Sequence, residues 1–265
     1  MIEILILFKN KKITLQIGNR LCKNLIKNYF FIILGWIIND FWDSDIDKHV
    51  DRTKLRPITS GEVSKASAIT FFSGLTATCF GIAYILKPMV TMLGVLSVPL
   101  VISYPKFKRF FKHPQFMLGI TFNYGIWMGY ASIYNALDYQ ILLPMYLGGI
   151  WWTMVYDTIY AYQDIDDDKK LGLNSSAIQF QNNPKKAFTA LATLSSLWFG
   201  ISGYMAWLHP IYYAFVGGVA AHYAWQIKSF DFNNKPNCRR LFISNQYLGL
   251  ILTFGIILGK YYQKS

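Results

Sequence analysis

Ten of the fourteen acidic residues stand at two places in the chain: Asp40, Asp43, Asp45, Asp47 and Asp51, then Asp157, Asp164, Asp166, Asp167 and Asp168. Asp43 and Asp47 are four apart, as are Asp164 and Asp168, so on a helix each pair would share one face. Like charges at that spacing repel, and a helix that keeps them needs a compensating cation or solvent. The free carboxyl has a pKa of about 3.9, so these groups are ionised near neutrality unless buried. Oxygen ligands with no neighbouring His or Cys pair suit a hard cation, Mg²⁺ above all. Mg²⁺ typically takes one or two carboxylates and fills its other positions with water or phosphate oxygens, so two such clusters imply a phosphorylated substrate between them. The competing reading is that these Asp residues only cap or solvate helix ends at a membrane surface. The separations Asp43 to Asp164 and Asp47 to Asp168 are equal, which suggests two related halves, although little else repeats.

The elements that must position these groups read as membrane helices. Of the 265 residues 53% are hydrophobic, 17% aromatic and only 15% charged, against about 25% charged in soluble domains. That excludes an ordinary soluble domain, a disordered chain, a collagen-like chain and a coiled coil. Stretches free of Lys, Arg, Asp and Glu run over Ala66–Leu86, Pro88–Tyr104, Pro114–Leu137, Tyr139–Tyr156, Ala187–Ile227 and Phe242–Gly259. About 20 helical residues cross a hydrocarbon core. Ala187–Ile227 is long enough for two crossings, divided near His209-Pro210, and the shorter apolar stretch Leu25–Ile38 brings the total to eight candidate helices. The expected fold is therefore an all-α integral membrane bundle. Threaded alternately, the helices put segments 40–65, 105–113, 157–186 and 228–241 on one side. These segments hold both acidic clusters and most of the basic residues. The net charge of +12 is thus explained by the positive-inside tendency, with no nucleic acid partner needed. Residues 1–27 disobey this pattern. They carry six Lys and Arg where the threading puts them outside, and they resemble neither a signal peptide nor a transit peptide. They read as an atypical segment, truncated or divergent, ahead of a membrane domain over 28–265.

Longer motifs become recognisable around the acidic clusters. Asn39-Asp40-Phe41-Trp42-Asp43-Ser44-Asp45-Ile46-Asp47, followed by Asp51-Arg52-Thr53 and Arg56-Pro57, resembles the N-D-x-x-D-x-x-x-D signature of UbiA-type membrane prenyltransferases. Tyr156-Asp157-Thr158-Ile159-Tyr160-Ala161-Tyr162-Gln163-Asp164-Ile165-Asp166-Asp167-Asp168 resembles the second element of that family. Tyr104 to Arg109, Pro114-Gln115 and Thr121-Phe122-Asn123 are similar to the linking segment of the branch that prenylates 4-hydroxybenzoate in ubiquinone synthesis. Gln226-Ile227 and Cys238 to Asn245 are similar to the same branch. The resemblance covers roughly Gly35 to Lys260.

The resemblance implies an all-helical enzyme, usually of nine spans, around a central cavity. Such an enzyme would transfer a polyprenyl group from polyprenyl diphosphate to the ring of 4-hydroxybenzoate, with Mg²⁺ as cofactor. By motif position Asn39, Asp43 and Asp47 would make one Mg²⁺–diphosphate contact, and Asp164 with Asp168 the other. Asp164 has an alternative role in orienting the aromatic acid or accepting its proton. Arg52, Arg56, Lys108 and Arg109 would bind diphosphate, their competing reading being ordinary positive-inside charge. Asn123, Tyr156 and Tyr160 would line the aromatic pocket, although tyrosines near membrane surfaces are also common belt residues, and Asp157 would be a further substrate-binding residue. Two departures stand out: Asn174 occupies a position where the family usually has Lys, and residues 1–27 offer no good counterpart of the family's first helix.

Other signals are weaker. Asn174-Ser175-Ser176 matches a glycosylation sequon but lies on the inside, where it reads as helix capping. His49, His113, His209 and His222 show no metal-ligand spacing. Cys22, Cys79 and Cys238 form no C-x-x-C pair and read as free thiols. Gly148-Gly149 and Gly217-Gly218 suit close helix packing. Two rival functions compete: a UbiA-type enzyme with another aromatic or quinone-precursor acceptor, and a divalent-cation transporter, which the carboxylates' place at one membrane edge rather than the midplane argues against. With no persuasive transit peptide, the bacterial inner membrane is the expected location and the mitochondrial inner membrane the alternative.

Overall fold

The computed structural model describes residues 35–50 and 53–263, so the atypical segment 1–27 and Arg52 lie outside the described residues. Within them α1 covers 35–47. It is followed by α2 (Pro57–Ser60), α3 (Lys65–Leu86), α4 (Pro88–Ser103), a 3₁₀ turn (Tyr104–Arg109), α5 (Pro114–Asn123), α6 (Gly125–Tyr134) and α7 (Tyr139–Ala161). The chain continues through α8 (Ile165–Lys170), α9 (Ser176–Gln179), α10 (Pro184–Met205), α11 (Ile211–Ser229) and α12 (Lys235–Tyr262). No strand occurs among the described residues, as an all-α fold requires.

Local chemistry sets the boundaries. Proline stands in the first turn of α2, α4, α5, α10 and α12, where its missing N–H is no loss. Side chains cap other starts: Ser64 accepts from the Ser67 N–H, Asp138 from Gln140 and Asn234 from Asn237. α2 ends at Gly61, whose φ of 87° is the left-handed conformation that favours glycine. Pro88–Arg109 and Lys235–Tyr262 are long and apolar enough to cross a membrane on their own.

One expected span differs. The apolar stretch Pro114–Leu137 is two helices, α5 and α6, separated at Tyr124. The Asn123 side chain donates to the Gly119 carbonyl of its own helix (2.9 Å) and to Thr153 Oγ1 on α7 (3.0 Å), and at Tyr124 the backbone switches to an i→i−3 bond with Thr121. A side chain that competes for the ladder's carbonyl interrupts a helix in this way.

α7 is the central element, packed by α5, α10 and α12. Its Met154, Val155 and Ile159 join Phe188, Leu191 and Phe199 of α10, Tyr212 and Val219 of α11, and Leu241, Leu248 and Leu252 of α12 in one buried cluster. Close approach depends on small residues. A Cβ at Gly148 would sit 2.5 Å from the Phe199 ring, and one at Gly149 would collide with the Asn123 amide. The second glycine pair behaves differently. A Cβ at Gly217 would meet nothing within 4 Å, and one at Gly218 would touch Ile251 only at 3.4 Å, because both point away from tight helix contacts.

This contrast yields a test by thermal unfolding in detergent. Gly148→Ala should destabilise the protein by about 1–3 kcal/mol through overpacking against Phe199. Gly217→Ala should be neutral or stabilise by about 0.5–1 kcal/mol, since the space is open and helical glycine carries an entropic penalty. Equal effects at the two positions would contradict this packing.

Candidate active site

α1 sets Asn39, Asp43 and Asp47 one turn apart along one face. Beyond it the chain folds back through a bond from the Arg56 N–H to the Thr53 carbonyl, which aims the Arg56 guanidinium at α1. One Arg56 nitrogen donates to both Asp40 Oδ1 and Asp47 Oδ2, each at 2.9 Å. From the 3₁₀ turn, Lys108 Nζ meets Asp43 Oδ2 at 2.7 Å. The same turn is fixed to α1 twice more: Arg109 donates to the Trp42 carbonyl at 2.9 Å, and the Lys106 ammonium lies 3.6 Å from the Trp42 ring centroid.

These carboxylates are deeply placed, with the Asp43 and Asp47 side chains 5% and 7% exposed. Burial pushes the Asp43 carboxyl above the ordinary carboxylate range, and the Lys108 ammonium opposes that rise. Asp40 is also raised by burial, with Arg56 opposing. Among the described residues, the buried Asp43 Oδ1 has no hydrogen-bond partner. A buried carboxylate oxygen left without a partner is costly for a framework residue and is compatible with a role in binding a cation.

The second cluster begins where α7 ends. Asp164 precedes α8, and its carbonyl accepts the Asp168 N–H at 2.9 Å, so this pair too lies one helical turn apart. The following loop turns at Gly172, φ 64°, and the Asn174 N–H then donates to the Lys108 carbonyl at 2.8 Å. The backbone of the second cluster is thereby bonded to the turn that supplies Lys108 to the first. Gln115 of α5 completes the frame. Its Oε1 accepts the Ser176 N–H at 2.9 Å, while Ser175 caps α9 by accepting the Ala177 N–H at 3.2 Å, which fulfils the capping role expected of the sequon.

Both pairs face one cavity of about 520 Å³. Of the expected site residues, Asn39, Asp43, Asp47, Arg56, Lys108, Asp157, Tyr160, Asp164 and Asp168 line it. Asp45, with a side chain 74% exposed beside Lys48 and Lys65, does not, and Asp167 pairs with Lys170 at the surface. The competing reading of solvated charge therefore suits those two. Among the described residues no three acidic, His or Cys side chains gather closely enough to hold a metal ion alone. An ion here would need other oxygens, as Mg²⁺ bound to a phosphorylated ligand has.

Three expected residues are not in the cavity wall. Asn123 is spent on the α5–α7 contact described above. Tyr156 stacks edge-on against Trp152 and Phe242. Arg109 is occupied by the Trp42 carbonyl. In their place the wall contains Asp40, Thr53, Tyr104, Gln115, Asn174 and Ser175. All six lie inside or beside the recognised motifs, but nothing in their types distinguishes a cavity-facing residue from a framework one.

Comparison with known proteins agrees with the motifs. The UbiA prenyltransferase family matches residues 26–251. The chain is 41% identical over 229 residues to the mitochondrial 4-hydroxybenzoate polyprenyltransferase of Arabidopsis thaliana, covering 86% of this chain and 56% of that protein. It is 40% identical over 233 residues to the Homo sapiens protein of the same name, covering 87% and 62%. The chain thus spans little more than half the length of these relatives. Among solved structures it resembles an apo UbiA homolog from Aeropyrum pernix K1, with a TM-score of 0.75, 23% identity and 89% of each chain covered. It also resembles a UbiA homolog from Archaeoglobus fulgidus bound to GPP and Mg²⁺, with a TM-score of 0.67, 17% identity and 93% and 88% covered. At those identities the likeness is one of fold.

The ion pairs of the site make a stability prediction. Lys108→Met leaves the buried Asp43 without its cation and should lower stability by about 1–3 kcal/mol, less than for a fully buried pair because Lys108 is about a quarter exposed. Adding Asp43→Asn should recover most of that loss. Denaturant unfolding of the three variants checks it, and additive losses in the double variant would refute the pairing.

Proposed function

Because the chain belongs to the UbiA prenyltransferase family and is an all-helical integral membrane protein, we propose that it transfers a polyprenyl group from polyprenyl diphosphate to the ring of 4-hydroxybenzoate. The observation that carries this reading is the convergence of two i,i+4 carboxylate pairs and two cations on one cavity. The relatives named above supply the acceptor, and the Archaeoglobus neighbour is a precedent for a prenyl diphosphate with Mg²⁺ in this fold. Their mitochondrial names favour the mitochondrial inner membrane over the bacterial inner membrane expected from the sequence. In this reading residues 28–265 form the membrane prenyltransferase domain.

The donor set fits a hard cation: all oxygen, with one Asp43 oxygen orphaned. Asn39, Asp43 and Asp47 would hold one Mg²⁺ and Asp164 with Asp168 another, where the bound ion neutralises charge on the diphosphate. The protein's own residues do the rest. Lys108 and Arg56 present positive charge where the leaving group becomes negative as the allylic C–O bond breaks. The electron-rich ring then forms the new C–C bond, and its displaced proton needs a carboxylate, a role that suits Asp164. Asp157 and Tyr160, both on α7, border the acceptor side. Water must be kept from the allylic cation, which it would otherwise capture. Arg52 remains a candidate diphosphate ligand by motif position alone.

Membranes expressing the chain, supplied with radiolabelled 4-hydroxybenzoate and a polyprenyl diphosphate, test the assignment. Wild type should form prenylated acid only with Mg²⁺, and Asp43→Ala and Asp164→Ala should each lower the rate by about 100-fold or more. Product formation that neither substitution affects would overturn the site.

A further inference from the structure

A second cavity, of about 940 Å³, lies between α10 and α11 and shares no residue with the first. Small side chains make it: Ala192, Ser196 and Gly200 on α10 face Ala220 and Ala224 on α11. Its Thr and Ser hydroxyls and that of Tyr223 are already used. Thr189, Thr193 and Ser196 donate to carbonyls of their own helix at 2.8–2.9 Å, and Tyr223 shares a 2.9 Å bond with Ser195. The groove wall is therefore hydrocarbon in character, and its floor is held in place, because Ser195 also donates to the Gly148 carbonyl of α7 at 2.9 Å.

The two ends differ. Tyr204 and Tyr213 close one end, and Lys185 and Lys228 stand at the other, both exposed, with Lys185 Nζ donating to the Lys228 carbonyl at 3.4 Å. Among the described residues no ion pair joins either lysine to a carboxylate. From Lys185 to Tyr204 the helical rise is roughly 28 Å, close to the thickness of a hydrocarbon core. By the charge pattern, the lysine end lies on the same membrane face as the carboxylate cavity. A small-residue groove alone would accept any lipid tail. The unpaired cation pair at its headgroup end selects by charge.

We propose that this groove is a binding site for an anionic phospholipid, its headgroup phosphate between Lys185 and Lys228 and an acyl chain along Ser196, Leu197 and Gly200. Basic pockets between transmembrane helices on the inner face recognise anionic headgroups by this combination of charge and apolar contact. The site is separate from the proposed catalytic cavity and does not depend on the reaction assigned there.

Native mass spectrometry of the detergent-purified full chain, with phosphatidylglycerol and phosphatidylcholine added at equal concentration, tests it. Wild type should retain phosphatidylglycerol over phosphatidylcholine by roughly tenfold, and Lys185→Gln with Lys228→Gln should bring the two to parity. Gly200→Leu keeps the lysines and fills open space, since a Cβ there meets nothing within 4 Å. It should lower retention of both lipids in a protein that unfolds at the wild-type temperature. Equal retention by wild type, or a preference that survives the double substitution, overturns the proposal. So does one-for-one displacement of the phospholipid by a prenyl diphosphate, which would make the groove a tail site.

Discussion

A carboxylate taken out of water must be compensated, and the architecture around the first acidic cluster follows from that requirement. Asp43 and Asp47 lie on a helix that leaves their oxygens almost no solvent. Arg56 reaches Asp47 from nine residues on and Lys108 reaches Asp43 from a distant turn, and each cation arrives because the backbone turns to deliver it. The chain reverses after α1 so that Arg56 can span Asp40 and Asp47, and α4 runs into a 3₁₀ turn that carries Lys106, Lys108 and Arg109 back to α1. Replacing these pairs with apolar contacts would give an easier fold. Among the described residues they also leave one buried Asp43 oxygen without a partner.

Most of the helices were legible in the sequence, because in lipid each span must be apolar over its length and charge gathers at the connections. The i,i+4 spacing also identified which acids share a face, and both pairs do border one cavity. The exceptions have physical causes. Asn123 and Tyr156 lie within motifs, but motif membership does not say which side chains face the cavity and which bridge helices. Asn123 bridges α5 to Thr153, and Tyr156 stacks in an aromatic row. Arg109 could not be separated from Lys108 by type or position, since on a tight turn adjacent residues point to different partners. The break at Tyr124 was hidden because every residue from Pro114 to Leu137 is uncharged, and hydropathy does not register a side chain bonding to its own helix.

The glycines divide along the same line. Gly148, Gly149 and Gly203 let aromatic rings and an amide reach the backbone, so α7 can carry Asp157 to the cavity edge while its other faces are tightly held. Gly200 and Gly217 have no such neighbour, and Gly200 lies in the groove between α10 and α11. Residue type alone gives a glycine that admits a ring from the same protein and one that leaves room for lipid the same appearance.

The bond from the Asn174 N–H to the Lys108 carbonyl joins the loop of the second carboxylate pair to the turn that serves the first. That bond ties the two sides of the cavity together through the main chain as well as through side chains. A backbone link of this kind lowers the cost of organising the site around a molecule that bridges the span between the two pairs. The same bond makes Asn174 a gauge of that span through its peptide group. Its side chain is therefore free to differ from the lysine usual in the family without altering the spacing it helps to set.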